Sequence, residues 1–336
     1  MTTDDPRTGT FARCASALST CSAMETDDAV VARGDSLEMV GLLPDDSVHL
    51  IIADPPYHST KKRTITGDRS FRTDEDYLDW MSRHANQWRR VLVTRGTLYV
   101  FCSSAMAGKL ETRLSQWFRP LSHIVWTKPN EPGFDGWGRK ADKQALRKWW
   151  PQSERILMFE QRTRGAGEVI REARLAADLS AVQVADAVGA HGRVNHGGAV
   201  ANWERGANRP TEEQWTRLLA VLGTTDELRA DFEREREVCR RVMRIPAEGP
   251  YGDVWDFPTV KPHAGKHPAE KPAAMLEHII RTSSDPGDIV LDPFAGSGST
   301  TLAALRLDRR AIAMEIDNQW IDRIVASLLG SVYSSK

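Results

Sequence analysis

The chain has 336 residues, 40% of them hydrophobic and 27% charged, and a net charge of −1. That balance fits one large α/β domain, or a core domain with a small second one, and it excludes a polycation, so any nucleic-acid contact must come from local patches. Cys14, Cys21, Cys102 and Cys239 lie far apart without a C-x-x-C pair, and no apolar run reaches membrane-spanning length, so the composition predicts no metal, no disulfide framework and no membrane, and fits a reducing cytoplasm.

Residues 1–27 are rich in Thr, Ser, Ala and Asp without periodicity and read as a mobile tail. From there apolar runs alternate with helical patterns, the signature of a doubly wound α/β sheet. The run 48–53 (VHLIIA) stops at Asp54, Pro55, Pro56 and Tyr57. Prolines cannot donate to a ladder, so a strand ends there. On the residues alone this is either a plain strand terminator or a carboxylate held rigidly at a strand tip. The following stretch, 58–72, carries Lys61, Lys62 and Arg63 against a single acid. Residues 74–92 place Tyr77, Trp80, Met81, His84, Trp88 and Val91 at helical spacing. Strands are predicted at 96–102, 122–127 and 155–159. Between the last two, 136–151 combines Arg139, Lys140, Lys143, Arg147 and Lys148 with Trp137, Trp149 and Trp150. Either basic stretch is a solvated face or a phosphate clamp.

Residues 166–244 break the rhythm and read as an all-α insertion of four or five short helices. The last two strands, 288–292 and 310–316, flank a glycine-rich turn and a helix at 299–307. Gly296 and Gly298 in that turn allow backbone to approach a ligand closely. Glu315, about twenty residues on at the tip of the next strand, is placed to accept hydrogen bonds from ribose hydroxyls. No lysine follows the glycines as it does in a phosphate loop, so the turn suits a phosphate-poor nucleoside rather than ATP.

"DPPY" (54–57), "KHPAEKP" (266–272) and "LDPFAGSGST" (291–300), with "VWTKPN" (125–130) and "VWDFP" (254–258), resemble the S-adenosylmethionine-dependent DNA amino-methyltransferases. The catalytic tetrapeptide precedes the cofactor loop, as in the permuted β group of that family. The resemblance covers 28–165 and 245–330 and implies a Rossmann-like methyltransferase sheet in permuted order. It implies that Asp54, Pro55, Pro56 and Tyr57 form the catalytic tip, with Asp54 and the Pro55 carbonyl accepting the target N–H bonds and Tyr57 stacking on the base. It further implies that Asp35, Asp292, Phe294, Gly296, Gly298, Glu315, His267 and Lys271 hold the cofactor. Among these, Asp35 is expected near the adenine, and His267 and Lys271 near the cofactor carboxylate. An Asp at the first position favours adenine N6, since cytosine-N4 enzymes more often carry Ser there.

Within the insertion, 170–190 and 200–223 resemble helix-turn-helix domains of the Xre/Cro type, with a longer, glycine-rich turn at 191–198. Gln183, Asn195, Asn202 and Arg205 are the candidates for base edges, and Trp203 for the core. The segment 168–223 has six basic and seven acidic residues, so a packing or dimerisation role stays open beside DNA reading. The expectation is a site-specific methyltransferase acting on adenine N6 in duplex DNA after base flipping. Cytosine N4 as target, an RNA substrate, and a DNA-binding regulator with a vestigial core remain alternatives. The recognition sequence, a homodimer and a cognate restriction enzyme are left undecided.

Overall fold

The alternating apolar runs build a single mixed sheet. The computed structural model describes residues 5–58, 71–128, 147, 153–161, 166–190, 198–205, 210–223, 243–245, 251–261 and 266–334. The chain divides into two compact units, Met1–Gln161 with Val242–Lys336, and Arg162–Arg241.

In the first unit the elements run α1 (Pro6–Leu18), β1 (Ser22–Glu25), β2 (Ala29–Arg33), α2 (Ser36–Leu42), β3 (Val48–Ala53), α3 (Asp74–Val91), β4 (Leu92–Ser103), α4 (Ala107–Leu114), β5 (Phe118–Thr127) and β6 (Ser153–Gln161). The second unit contributes α5 (Ala166–Ala176), α6 (Ala181–Val188), α7 (Gly198–Glu204) and α8 (Glu212–Leu222). The first unit resumes with β7 (Val254–Asp256), α9 (Ala273–Ser283), β8 (Ile289–Asp292), α10 (Ser299–Arg306), β9 (Arg310–Glu315) and α11 (Asn318–Ser334).

The sheet order is β1-β2-β9-β8-β3-β4-β6-β5-β7. β2, β9, β8, β3 and β4 are parallel neighbours, so their carboxyl ends share one edge. β6 runs antiparallel to both β4 and β5. From β8 the chain crosses to β9 on one side, and from β3 it crosses to β4 on the other. The strand order therefore reverses between β8 and β3, which is where open α/β sheets leave a ligand crevice.

Side chains alternate across the sheet with the period of a strand. Ile51, Leu98, Val100 and Leu157 pack toward Met81 and Trp88 of α3 and Leu110 of α4. Leu50, Ile52, Tyr99 and Phe101 pack on the other face against Met275, Leu276 and Ile279 of α9. Both faces of the central strands are covered, which is why they read as continuous apolar runs.

The expectation of a mobile tail over 1–27 is corrected by α1, β1 and the turn into β2. Asp5 caps α1, Pro6 sits in its first turn, and Phe11, Cys14, Ala15 and Leu18 are buried. Those positions are spaced i, i+3, i+4, i+7, a helical stripe that the small polar residues around it disguise. β4 and β5 also begin earlier than predicted, at Leu92 and Phe118. No helix among the described residues is long and apolar enough to cross a membrane.

The second unit has its own core of Ile170, Val184, Val188, Val200, Trp203, Trp215 and Leu218. Arg174 of α5 donates to Glu204 of α7 at 2.6 Å and to the Leu179 carbonyl at 2.8 Å. Arg174 and Glu204 thus lock α5 and α7 together. Gln183, exposed at the start of α6, closes a capping box with Ser180.

Candidate active site

Asp54 follows β3 directly, at the strand edge beside the β8–β3 switch point. Its Oδ2 receives a hydrogen bond from the Lys271 ammonium. Its Oδ1 is buried and makes no hydrogen bond among the described residues. An unpaired buried acceptor costs roughly 1–3 kcal/mol, a cost that a donor from outside the chain would relieve. Lys271 is 8% exposed. It also donates to the Ala269 carbonyl at 3.2 Å, and its Nζ lies 5.6 Å from the Tyr57 ring centre and 5.1 Å from that of Phe101.

Behind this pair, the Tyr57 hydroxyl donates to Glu154 Oε2 at 3.1 Å, and Lys128 pairs with Glu154 Oε1. Burial pushes the Asp54 carboxyl above its ordinary range, against the pull of Lys271. Burial would also raise Glu154, but Lys271 and Lys128 outweigh it and hold Glu154 below the usual value. The Tyr57 phenol is pushed well up by burial and by Glu154, so it stays a neutral donor.

The glycine-rich turn after β8 forms the opposite wall. Asp292 Oδ1 accepts from the Phe294 amide at 3.1 Å, and burial pushes its carboxyl up to about 7. Glu315, ending β9, accepts from the amides of Gly296 at 2.8 Å, Ile316 at 2.9 Å and Asp317 at 2.8 Å. Gly296 and Gly298 have φ of +49° and +77°. A Cβ on Gly298 would stand 2.9 Å from Ile324 Cγ1, and one on Gly296 would stand 3.3 Å from the His267 ring. The room Gly298 leaves is filled by Ile324 of α11, while Gly296 stands on the cavity wall beside the His267 ring.

Phe294 packs against Trp80, His84 and Trp88, with ring centres 5.5, 5.4 and 6.3 Å away. His84 joins Ser36 Oγ at 2.9 Å and the Trp80 carbonyl at 3.1 Å, and burial lowers it to about 4. Asp35 caps α2, accepting from the Leu37 amide at 2.8 Å. His267 stands edge-on to Trp320 at 4.3 Å and is lowered to about 4 by burial and then by Lys271.

One cavity of about 420 Å³ unites these groups. Asp35, Asp54, Pro55, Pro56, Tyr57, His267, Lys271, Asp292, Phe294, Gly296 and Glu315 all line it. Gly298 does not; it lies behind the wall, against α11. Lys271 also departs from its expected place, because its buried ammonium takes the Asp54 carboxylate as counter-charge. Sequence reasoning missed Trp80, Phe71 and Trp320, which line the same cavity, and Glu154 with Lys128. Trp80 lay within a helical apolar stripe and looked like core. Glu154 comes from an antiparallel strand 97 residues after Tyr57, outside any motif.

Of the predicted DNA contacts, Lys61, Lys62, Arg63, Arg139, Lys140, Lys143 and Lys148 lie outside the described residues, as does Asn195. Arg147 is exposed. Of the described residues on either side of 59–70, Phe71 lines the cavity. His58 stacks on Tyr77 at 6.0 Å, and Phe71 packs on Tyr77 at 5.2 Å and Trp80 at 5.3 Å. Within the second unit, exposed Arg205 donates to Asn202 Oδ1 at 2.7 Å, while Trp203 is buried.

Residues 48–326 match the family model of the N6/N4 DNA methylases, described as DNA methylase. The chain is 27% identical over 294 residues to the DNA adenine methyltransferase YhdJ of Escherichia coli (strain K12), covering 87% of this chain and 79% of that one. It is 26% identical over 306 residues to the type II methyltransferase M.BglII of Bacillus subtilis, covering 87% and 66%. Its fold resembles that of the cytosine-N4-specific PvuII DNA methyltransferase, with a TM-score of 0.57 at 16% identity over 90% of this chain and 87% of the other.

Proposed function

The chain belongs to the N6/N4 DNA methylase family, and from that premise we propose that it methylates adenine N6 in duplex DNA, using S-adenosylmethionine. The observation that carries this reading is the buried, unpartnered Oδ1 of Asp54 on the wall of the cavity. An exocyclic amino group presents two N–H donors and a lone pair delocalised into its ring. Asp54 Oδ1 and the Pro55 carbonyl are two adjacent acceptors for those donors. Accepting both draws the nitrogen toward tetrahedral geometry and frees the lone pair.

S-adenosylmethionine, when bound, supplies an electrophilic methyl group on a sulfonium. The cavity suits it: about 420 Å³, a carboxylate at Glu315 for ribose hydroxyls, and the rings of Phe294 and Trp80 for a flat heterocycle. Asp35 and His267 line the same space. Asp54 Oδ1 and the Pro55 carbonyl would hold the amino nitrogen toward that methyl group, and Asp54 Oδ1 would take the proton that the nitrogen sheds once methylated. Tyr57, its hydroxyl tied to Glu154, offers a ring face to the base. A base in a duplex must first be turned out of its stack to reach this pocket.

Adenine is favoured by the Asp that opens the tetrapeptide and by the relative named as an adenine methyltransferase. We further propose that the helical unit is a helix-turn-helix-like reader, with α7 presenting Asn202 and Arg205, and that the basic stretches at 58–72 and 136–151 contact phosphates. Incubation with labelled S-adenosylmethionine and duplex DNA, followed by digestion to nucleosides, tests the reaction. N6-methyladenine is the expected product. N4-methylcytosine as sole product would overturn the choice of base, and no labelled nucleoside would favour a regulator with an inactive core.

A further inference from the structure

Lys271 lines the cavity beside the groups that would hold a cofactor, yet its ammonium is engaged elsewhere. It comes just before Pro272, the residue that opens α9, and a side chain there could reach toward the glycine-rich turn or toward the strand tip. It takes the second course. Its ammonium binds Asp54 Oδ2 and the Ala269 carbonyl and lies over the rings of Tyr57 and Phe101. A lysine 8% exposed needs its charge met, and Asp54 meets it. We propose that Lys271 is a positioning residue for Asp54, holding Oδ2 so that Oδ1 faces the amino group of the target base.

This inference rests on the methyl transfer proposed above. It gives the two oxygens of one carboxylate separate duties. Oδ2 is anchored and partly neutralised, while Oδ1 is the acceptor. Without the anchor the carboxylate can rotate about its Cβ–Cγ bond, and Oδ1 loses its fixed direction. The anchor also pulls the Asp54 carboxyl down in surroundings that push it up. Facing the pair are Tyr57 after β3, Cys102 of β4, Glu154 of β6 with Lys128 behind it, Asp292 of β8, and His267 beside Lys271. Burial and then Glu154 press Asp54 toward its neutral form, and Lys128 is already paired with Glu154. A cation within hydrogen-bonding distance lowers a carboxyl by roughly 1–3 pH units.

The test compares full-length wild type with Lys271→Gln, with Lys271→Met as a second neutral side chain should the amide not fold, and with Lys271→Arg. Three quantities are read: the pH dependence of single-turnover transfer, cofactor affinity by calorimetry, and the Asp54 carboxyl titration in the free protein by carbon NMR, assigned with Asp54→Asn. Loss of the ammonium is expected to slow transfer about 100-fold and to move both the acid limb and the Asp54 titration up by about one unit or more. Cofactor affinity should stay within about twofold, and Lys271→Arg should recover part of the rate and of the titration shift. Weakened cofactor binding with an unmoved Asp54 titration would overturn the proposal and return Lys271 to the cofactor. An unmoved rate and titration would overturn it too. Absence of transfer in wild type would refute the reaction, while the titration of the free protein would still decide whether Lys271 governs Asp54.

Discussion

Asp54 and Asp292 are carboxylates that end neighbouring strands, and their surroundings give them different consequences. Asp54→Asn and Asp54→Ala should both abolish methyl transfer while leaving cofactor affinity nearly unchanged, because neither touches the Glu315 side of the cavity. The two should differ in stability. Alanine leaves the buried Lys271 ammonium without its counter-charge, a loss of about 3 kcal/mol, whereas asparagine keeps an oxygen for it to bind. Urea unfolding of the two variants reads this directly, and equal midpoints would show that the Lys271 contact adds little. Asp292 carries a pH prediction. Its carboxyl is raised by burial from the ordinary 3.8 to about 7, so between those values the folded state holds a proton that the unfolded state has lost. Stability contributed by this group therefore falls as pH rises through that window and is constant above it. Asp292→Asn removes the penalty, so its free energy of unfolding should gain on wild type between pH 5 and pH 8, by on the order of 2 kcal/mol. His84 and His267, both lowered to about 4, act in the opposite sense below 6.5 and cancel in this comparison. A gain that is constant with pH would mean Asp292 is ionised throughout.

The unit of strand, glycine-rich turn and helix from β8 to α10 works only because α11 lies close behind it. Gly298 needs its left-handed φ, and any Cβ there would press on Ile324. Gly298→Ala should cost about 2 kcal/mol or more, and Ile324→Ala in the same chain should return the steric part but not the part due to φ. A double-mutant cycle by thermal unfolding separates the two; strict additivity would show that Ile324 moves away freely. The same region shows what can be read from a sequence. β3, β8 and β9 are buried on both faces, so Leu50–Ile52, Val290–Leu291 and Ala311–Met314 announce themselves as unbroken apolar runs, and each ends in an acid that reaches the cavity. Local pattern is enough for such elements. It fails where a contact is long-range or a stripe is sparse. The apolar stripe of α1 is thinned by Thr, Ser and Arg, and nothing nearby says that Phe11 and Leu18 meet the sheet. Lys271 was visible as a residue beside a proline-bounded helix, but its partner lies 217 residues away in the chain, and only the packed fold brings them together. Glu154 was hidden for the same reason.

At the scale of the whole chain, excision tests whether the two units divide labour. The helical unit has its own core around Trp203 and Trp215 and its own bridge between Arg174 and Glu204. The first unit keeps a continuous sheet up to Gln161, where β6 ends, and Met243 packs back onto its core. Among the described residues, cutting between them removes no sheet strand and no residue of the cavity. Replacing 162–241 by a short Gly-Ser linker should therefore preserve the melting transition of the first unit and its affinity for S-adenosylmethionine. What should change is the DNA. If the helical unit reads bases, its loss removes contacts that discriminate sequences, each worth about 1–3 kcal/mol, and methylation should spread over sites that wild type ignores. If it only grips phosphates, affinity and its salt dependence should fall alike for every sequence while the site preference stays. Mapping methylated positions on one long duplex, at two salt concentrations, tells these outcomes apart. An unchanged map and an unchanged salt slope would place both reading and grip in the first unit, whose basic stretches at 58–72 and 136–151 flank the strands that carry Asp54 and Glu154.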